Sequence, residues 1–470
     1  MPYPGHPFAQ THPDRLATVA TLFGLSPADP ASCRLLELGC GDGGNLVPMA
    51  YGLPGGEFVG IDLSATAVER AQALGRALGL TNLDVRRADI TALPALGTFD
   101  YAVAHGVYSW IAPAARDALL AACRAHLAPG GIAYVSYDVL PGGHLREITR
   151  QMLRWHLRSV TEPDERIAQA RALLSAVMSA GAEGDELRRR LAWQAEWALA
   201  QSDAALYHDE LAEHHEAVLF ADFAAHAAGH GLRFLAEADV FEMSTGAFGA
   251  EVAERLAELG DDVVAREQYL DFFKGRMFRQ TLLCHADAEP GESVPDVVRE
   301  MLVASPARPT GDVTAARVEF RGPRGATLTT DHGLVKRALV RLGDAWPHPV
   351  PVAELTGAAT ADDVDVLCET LLRAYAANLV ALHVWAPALA TAPSERPVAS
   401  ALARLQAAGG TRVTNLRHAG VEIPDALGRR LITLLDGTRD RDALVDELGR
   451  PADELERSLQ GLAGIALLER

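Results

Sequence analysis

Between residues 34 and 137 short apolar strands alternate with turns and helices. Strands are expected over 34–38, 58–62, 83–88, 99–104 and 132–137, and helices over 64–79 and 113–127. Strands alternating with helices of this length form a parallel sheet covered by helices on both faces, an α/β fold. The first strand runs straight into Gly39-Cys-Gly-Asp-Gly-Gly44. Glycines at such a turn lack the Cβ that would hold a ligand away from the backbone N–H groups. In an open parallel sheet, ligands sit outside the carboxyl ends of the strands, so the residues after each strand are the candidates for binding and chemistry.

Three carboxylates fall at those positions. Asp62, followed by Leu63, ends the second strand, where it can accept both hydroxyls of a ribose. Asp89, followed by Ile90, ends the third, within reach of an adenine amino group. Glu37 stands two residues before the first glycine. Gly39, Gly41 and Gly44 also satisfy G-x-G-x-x-G, a pattern that would serve a nicotinamide dinucleotide. The spacing Glu37-x-Gly39-x-Gly41-x-Gly43 resembles instead the first motif of class I methyltransferases. Asp89-Ile90 resembles their adenine position, and Ala128-Pro-Gly-Gly131 resembles their turn before strand five. The expected cofactor is therefore S-adenosyl-L-methionine, leaving as S-adenosyl-L-homocysteine. Its expected holders are Glu37, Gly39, Gly41, Gly43, Asp62, Leu63, Asp89, Ile90 and His105.

Two further loops follow strands four and five. His105-Gly-Val-Tyr-Ser-Trp110 would lie beside the reactive methyl, where aromatic rings suit a sulfonium or a substrate amine. Packing is the competing role for Tyr108 and Trp110. In Tyr137-Asp-Val-Leu-Pro-Gly-Gly143, Asp138 would either orient an ammonium or cap the next helix. The catalytic candidates are thus His105, Tyr108, Trp110, Tyr137 and Asp138. A lysine nucleophile must lose a proton, but an activated methyl needs orientation more than a strong base. No metal is expected: His208-Asp-Glu and Glu213-His-His215 carry ligand-type side chains without zincin spacing, and read as a solvated helix face.

Length, 470 residues, calls for about three domains. Residues 1–288 are expected to form a Rossmann-like seven-stranded domain. Its sixth and seventh strands lie near 232–240 and 278–284, its helical insertion spans about 144–215, and a regulatory-type region occupies 216–288. A proline-rich linker over 289–312 would let the rest move independently. A winged-helix-like module is expected over 313–393, with strands near 318–320, 327–329, 352–355 and 379–384, and a small helical module over 394–470. The net charge of -19 speaks against nucleic acid as a partner. Neither a membrane span nor a secretory leader is expected. Its five scattered cysteines fit reduced thiols in the cytoplasm.

Four segments carry a family likeness: Phe8-Ala-Gln-Thr-His-Pro-Asp-Arg-Leu16, Leu36-Glu-Leu-Gly-Cys-Gly-Asp-Gly-Gly-Asn45, Ala104-His-Gly-Val-Tyr-Ser-Trp110 and Phe278-Arg-Gln-Thr-Leu-Leu-Cys284. Together they resemble bacterial methyltransferases with a methyltransferase regulatory domain, best known from the rickettsial protein-lysine methyltransferases that act on an outer-membrane protein. The resemblance implies an enzyme that methylates lysine side chains of a protein substrate. It also implies a Gln10-Thr-His12 lid over a methyl-transfer site lined by His105, Tyr108 and Trp110. The family often carries Asn and Trp where this chain has Asp138 and Gly143. A small molecule or peptide natural product is the alternative substrate. A binding protein with an idle sheet is the reading from another class. The later modules are expected to select substrate and leave methyl transfer to the first domain.

Overall fold

The computed structural model describes residues 5–181, 185–246, 248–291 and 295–470. Helix α1 (Pro13–Leu22) leads into strand β1 (Arg34–Leu38), α2 (Leu46–Gly52), β2 (Glu57–Asp62), α3 (Ala65–Ala77), β3 (Leu83–Arg87), β4 (Phe99–Ala104), α4 (Pro113–His126) and β5 (Leu127–Asp138). Ser64 caps α3 by accepting from Ala67 N. Strand β5 starts at Leu127, but residues 128–131 have no partner on β4, so Ala128-Pro-Gly-Gly131 loops out ahead of the regular strand from Ile132. Leu127 already pairs with Phe99, and the register shifts before Tyr101 meets Ile132. Helices α5 (Gly143–His156), α6 (Pro163–Gly181), α7 (Glu186–Leu199), the short α8 (Asp203–Ala205) and α9 (Phe220–Gly229) follow. Then come β6 (Leu232–Glu237), α10 (Ala250–Ala257), α11 (Val263–Lys274) and β7 (Phe278–His285).

The sheet has seven strands in the order β3-β2-β1-β4-β5-β7-β6, with β7 antiparallel to both neighbours. Strand alternation divides its core in two. Leu35, Phe58, Val85, Tyr101 and Tyr134 face α1, α2 and α3, whereas Leu36, Ile61, Ala102, Val135 and Tyr137 face α4 and α9. Helices α10 and α11 fall where the sequence offered no strong signal. A buried ionic cluster fastens α11 to the sheet: Arg279 on β7 reaches Glu237, Glu267 and Asp271, all nearly inaccessible to water.

Residues 295–384 build a second core. It holds β8 (Leu302–Ala304), β9 (Arg308–Pro309), β10 (Val318–Arg321), β11 (Thr327–Thr330), α12 (Gly333–Ala345), β12 (Val350–Pro351), α13 (Val352–Thr356), α14 (Ala361–Ala376) and β13 (Ala381–His383). Two expectations fail here. Val298, Met301, Val303 and Ala307 are buried in this core, so the second half of 289–312 is not a free linker. The stretch 352–355 is helical, because Val352 and Leu355, three apart, both turn inward after Pro351.

A third core gathers α15 (Ala401–Gly409), the hairpin β14 (Arg412–Thr414) with β15 (Gly420–Glu422), α16 (Ala426–Leu434), α17 (Arg441–Leu448) and α18 (Ala452–Gly464).

Neither later unit moves freely against the sheet. The Asp14 carboxylate on α1 accepts from Val384 N at 3.0 Å and Trp385 N at 2.8 Å, and lies 2.7 Å from His383 Nδ1. Leu22 belongs to the second core. Tyr51 donates to Glu469 at 2.6 Å and accepts from Ala401 N at 2.9 Å. Among the described residues, no helix is long and apolar enough to cross a membrane.

Candidate active site

The strand ends open into a cavity of about 720 Å³. At one end its wall is the glycine loop. Gly39, Gly41 and Gly43 all have positive φ, a conformation that side chains other than glycine resist. Their surroundings differ. A Cβ on Gly41 would meet no atom within 4 Å, so a ligand can approach the backbone there. One on Gly43 would strike Val47 and Ala71 at under 3 Å. Gly43 therefore packs the loop onto its helices and stands outside the cavity lining, while Gly44 lies within it.

Asp62 lines the same end. Its Oδ2 accepts from Gly41 N at 2.9 Å and its Oδ1 from Ser64 N at 2.8 Å, which fixes the carboxylate and leaves further lone pairs on both oxygens. Ala88 N donates to Asp62 O, which brings Asp89 to the adjacent strand end. Asp89, Ile90 and Leu63 do not line the cavity. Asp89 is exposed and accepts from Thr91 N and Oγ1, and Leu63 is 63% exposed.

Glu37 lies at the bottom of this end, buried. Its Oε1 accepts from Asn45 Nδ2 at 2.7 Å and its Oε2 has no partner. Burial pushes its carboxyl up to about 8, against the pull of the Asn45 hydrogen bond. A buried, half-satisfied carboxyl beside glycines open to a ligand fits a polar cofactor. Asn45 connects distant parts of the chain. Its Oδ1 accepts from Phe8 N at 2.9 Å, lies 3.2 Å from Thr11 Oγ1, and faces His418 Nε2 of the third unit at 2.9 Å. His418 sits between β14 and β15 with φ of 55°, an uncommon conformation for a histidine.

The cover over this end is not Gln10-Thr-His12. Gly5, His6 and Phe8 line the cavity, while Thr11 ties the segment to Asn45 and His12 caps α1. Phe8 lies against His105, ring centroids 3.7 Å apart. His105 lines the cavity midway, its Nδ1 3.0 Å from Tyr134 Oη and 3.2 Å from Ser136 Oγ. Burial lowers its pKa to about 4, so it is neutral at physiological pH.

The other end is built from the helical insertion. Trp110, Asp138, Gly143, Arg146, Trp193, Gln194, Trp197, His208, Asp209 and Ala212 line it, so residues 144–215 cover the carboxyl edge of the sheet. Asp138 caps no helix. Its Oδ2 accepts from Arg146 at 3.1 Å and lies 2.6 Å from His215 Nε2. Arg146 also donates to Glu210 at 3.0 Å and stands 4.9 Å from the Trp110 ring and 5.4 Å from that of Trp197. The His208–His215 segment is thus no solvated helix face. Glu210 and the His215 side chain are buried beneath it. Gln194 is 1% exposed, with neither amide atom hydrogen-bonded.

Tyr108 and Tyr137 do not reach the cavity. They pack on Phe223 in the core facing α4 and α9, with Tyr137 stacked on it at 3.9 Å. Their hydroxyls bond His226 and Thr281 instead. Of the five catalytic candidates, the structure gathers His105, Trp110 and Asp138. Trp193 and Trp197 escaped the sequence analysis because their spacing of four reads equally as an apolar helix stripe.

Residues 35–131 match a family model described as a methyltransferase domain, and residues 202–285 a predicted methyltransferase regulatory domain. The C-terminal winged helix domain of PKMT matches 395–464, the unit expected above to be simply helical. An uncharacterised protein of Rickettsia prowazekii is 30% identical over 474 residues, 95% of this chain and 84% of that one. PKMT2 from Rickettsia typhi, also solved in complex with AdoHcy, superposes with a TM-score of 0.89 at 25% identity, covering 99% of this chain and 100% of that one. Trans-aconitate 2-methyltransferase from Deinococcus radiodurans is 32% identical over 130 residues, 28% of this chain and 46% of that one.

Proposed function

Because the chain belongs to the bacterial class I S-adenosylmethionine-dependent methyltransferases that carry a methyltransferase regulatory domain, we propose that it methylates the ε-amino nitrogen of lysine side chains in a protein. The chain is a methyltransferase, and S-adenosyl-L-methionine is its cofactor. That cofactor supplies a methyl group already activated by its sulfonium. On our reading Gly39, Gly41 and Gly44 offer it their backbone, Asp62 takes the ribose hydroxyls, and Asp89 with Ile90 stands at the adenine. Glu37 and Asn45 shape the floor.

The observation that carries the lysine reading is the far end of the cavity. Three indole rings, Trp110, Trp193 and Trp197, suit the apolar stem and cationic head of a lysine. Around them the carboxylates Asp138, Glu147, Asp209 and Glu210 outnumber the guanidinium groups of Arg146 and Arg150. Gln194 has donors and acceptor to spare for a peptide backbone.

A free lysine has a pKa of about 10.4, so the amine must shed a proton before it attacks. Nearby carboxylates draw the ammonium in but also stabilise its charge. Desolvation between indole rings works the other way and favours the neutral amine. His105, neutral and already near Tyr134 and Ser136, orients and is not the base. The PKMT name of the Rickettsia typhi relative supports a protein acceptor. Five buried free cysteines support a cytoplasmic setting.

The test is transfer of labelled methyl from the cofactor to a bacterial protein extract, followed by mass spectrometry of the labelled fraction. We expect methylated lysine in protein, and none when the lysines are chemically blocked beforehand. Label confined to the low-mass fraction would replace this reading with the small-molecule one.

A further inference from the structure

Outside the cavity, three side chains of metal-ligating type converge between α4 and α9. Asp117 projects from α4, His226 from α9, and His230 caps the end of α9 one turn later. His226 Nε2 lies 2.9 Å and His230 Nε2 3.4 Å from the same Asp117 Oδ1. The three candidate ligand atoms all lie within 4.8 Å of one another. Two imidazoles four residues apart on a helix present their nitrogens to one point, the spacing helices use to chelate an ion. Access is open: the Asp117 side chain is 63% exposed and the two imidazoles about a quarter.

A second feature sets this group apart from a chance surface cluster. His226 Nδ1 lies 2.9 Å from the hydroxyl of Tyr108, which is itself buried. Metal-binding histidines are generally held in this way, one nitrogen on the ion and the other fixed from behind. Arg116, which precedes Asp117 on α4, packs on the Tyr108 ring and pairs with Glu216, so its charge is met locally.

We propose that Asp117, His226 and His230 bind one divalent transition-metal ion of the zinc class, with the remaining position open to water, and that the ion fastens α9 to α4. Two imidazoles and one carboxylate suit Zn²⁺, Co²⁺ or Ni²⁺, whereas Mg²⁺ and Ca²⁺ prefer all-oxygen sets. Each Nε2 must present its lone pair to the ion. In His226 the proton then sits on Nδ1 and Tyr108 Oη accepts it, so the neutral ring releases no proton. Asp117 lies in the segment matched by the methyltransferase domain, and both histidines lie in that matched by the regulatory domain. The ion would therefore join the two. Tyr108 precedes the cavity residue Trp110 by two positions, which places the join next to the acceptor end.

The full chain, stripped with a chelator and dialysed, is titrated calorimetrically with Zn²⁺ and, in parallel, with Co²⁺. We expect one saturable ion per chain, the visible absorption of four-coordinate cobalt, and a Tm that rises with added Zn²⁺. His230→Ala and Asp117→Asn should each weaken binding about ten-fold or more, while His144→Ala on the exposed face of α5 leaves it unchanged. Tyr108→Phe keeps all three ligands and should weaken binding by about ten-fold through loss of the orienting bond. Absence of saturable binding in the wild type overturns the proposal. So does unaltered affinity in both His230→Ala and Asp117→Asn, which would put the ion elsewhere.

Discussion

The glycine loop and the helical insertion wall the same cavity by different means. Around Gly39–Gly44 the surface is largely backbone, set by φ values that the sequence encodes directly, and Asp62 is fixed by one N–H of the glycine loop and one just past its own strand end. Around Trp110 the surface is side chains from β5, α5, α7 and the helical segment 206–210, held by the linked side chains of Asp138, Arg146, Glu210 and His215. A backbone wall tolerates change around it and keeps its ligand class. A wall of interlocked side chains is adjustable but fails as a unit. This division suits an enzyme whose cofactor is constant and whose acceptor is particular.

Breaking the side-chain wall should have the largest effect. Arg146→Ala takes the guanidinium from Glu210 and Asp138, both buried, leaves Asp138 with His215 alone, and should cost about 3–5 kcal/mol of stability, read as a lowered denaturation midpoint. Cofactor affinity measured below that midpoint should stay within about two-fold of wild type. A large loss of cofactor affinity would mean that the two ends are coupled after all.

Asp62→Ala tests the backbone wall. Losing hydrogen bonds from a carboxylate to two hydroxyls should weaken S-adenosylmethionine binding by more than about 100-fold by calorimetry, since each such bond contributes about 1.5–3 kcal/mol. The thermal midpoint of the free protein should fall only modestly, because Asp62 is partly exposed at its strand end. Affinity near that of wild type would remove Asp62 from the cofactor site.

The third prediction probes a limit of the contrast. The glycine loop is local in sequence, yet Asn45 beside it faces His418. His418→Ala should weaken cofactor binding about three- to ten-fold, while His418→Gln, which restores a donor, recovers part of it. Equal affinities in wild type and His418→Ala would make the cofactor end self-sufficient.

The last test is a pH slope. The folded chain holds a proton on Glu37 up to about pH 8, whereas the unfolded chain loses it near 4.3. Between those values the folded state binds more protons. The contribution of Glu37 to the stability of the free protein therefore falls as pH rises through that window and levels off above it. Glu37→Gln should flatten this part of the Tm profile. A slope identical to wild type would assign it to other groups.

The same contrast explains what could be read from the sequence. The five parallel strands, the two that close the sheet, and Asp62 beside the loop follow from short-range patterns, since glycine spacing and alternation act over a few residues. Tyr108 and Tyr137 were misplaced because a residue after a strand can point either into the crevice or under the sheet, and only Phe223, far along the chain, decides which. The Asp138–Arg146–Glu210–His215 ring left no trace, because spacings of 8, 64 and 77 residues fit no periodic template. Val298 and Met301 were hidden by the prolines around them, which read as linker although the side chains between are core.

The hydrogen bond between His418 and Asn45 has a consequence in time. The two residues are separated by 373 positions. At a synthesis rate of about 5–20 residues per second, Asn45 emerges from the ribosome roughly 20–75 s before its partner. Strands β1 to β5 can pair in that interval, and the glycine loop can take its backbone shape. The side chain beneath the loop acquires its full set of neighbours only after translation has passed the hairpin of the third unit. A nascent chain halted before that point carries the sheet without the finished floor of its cofactor pocket.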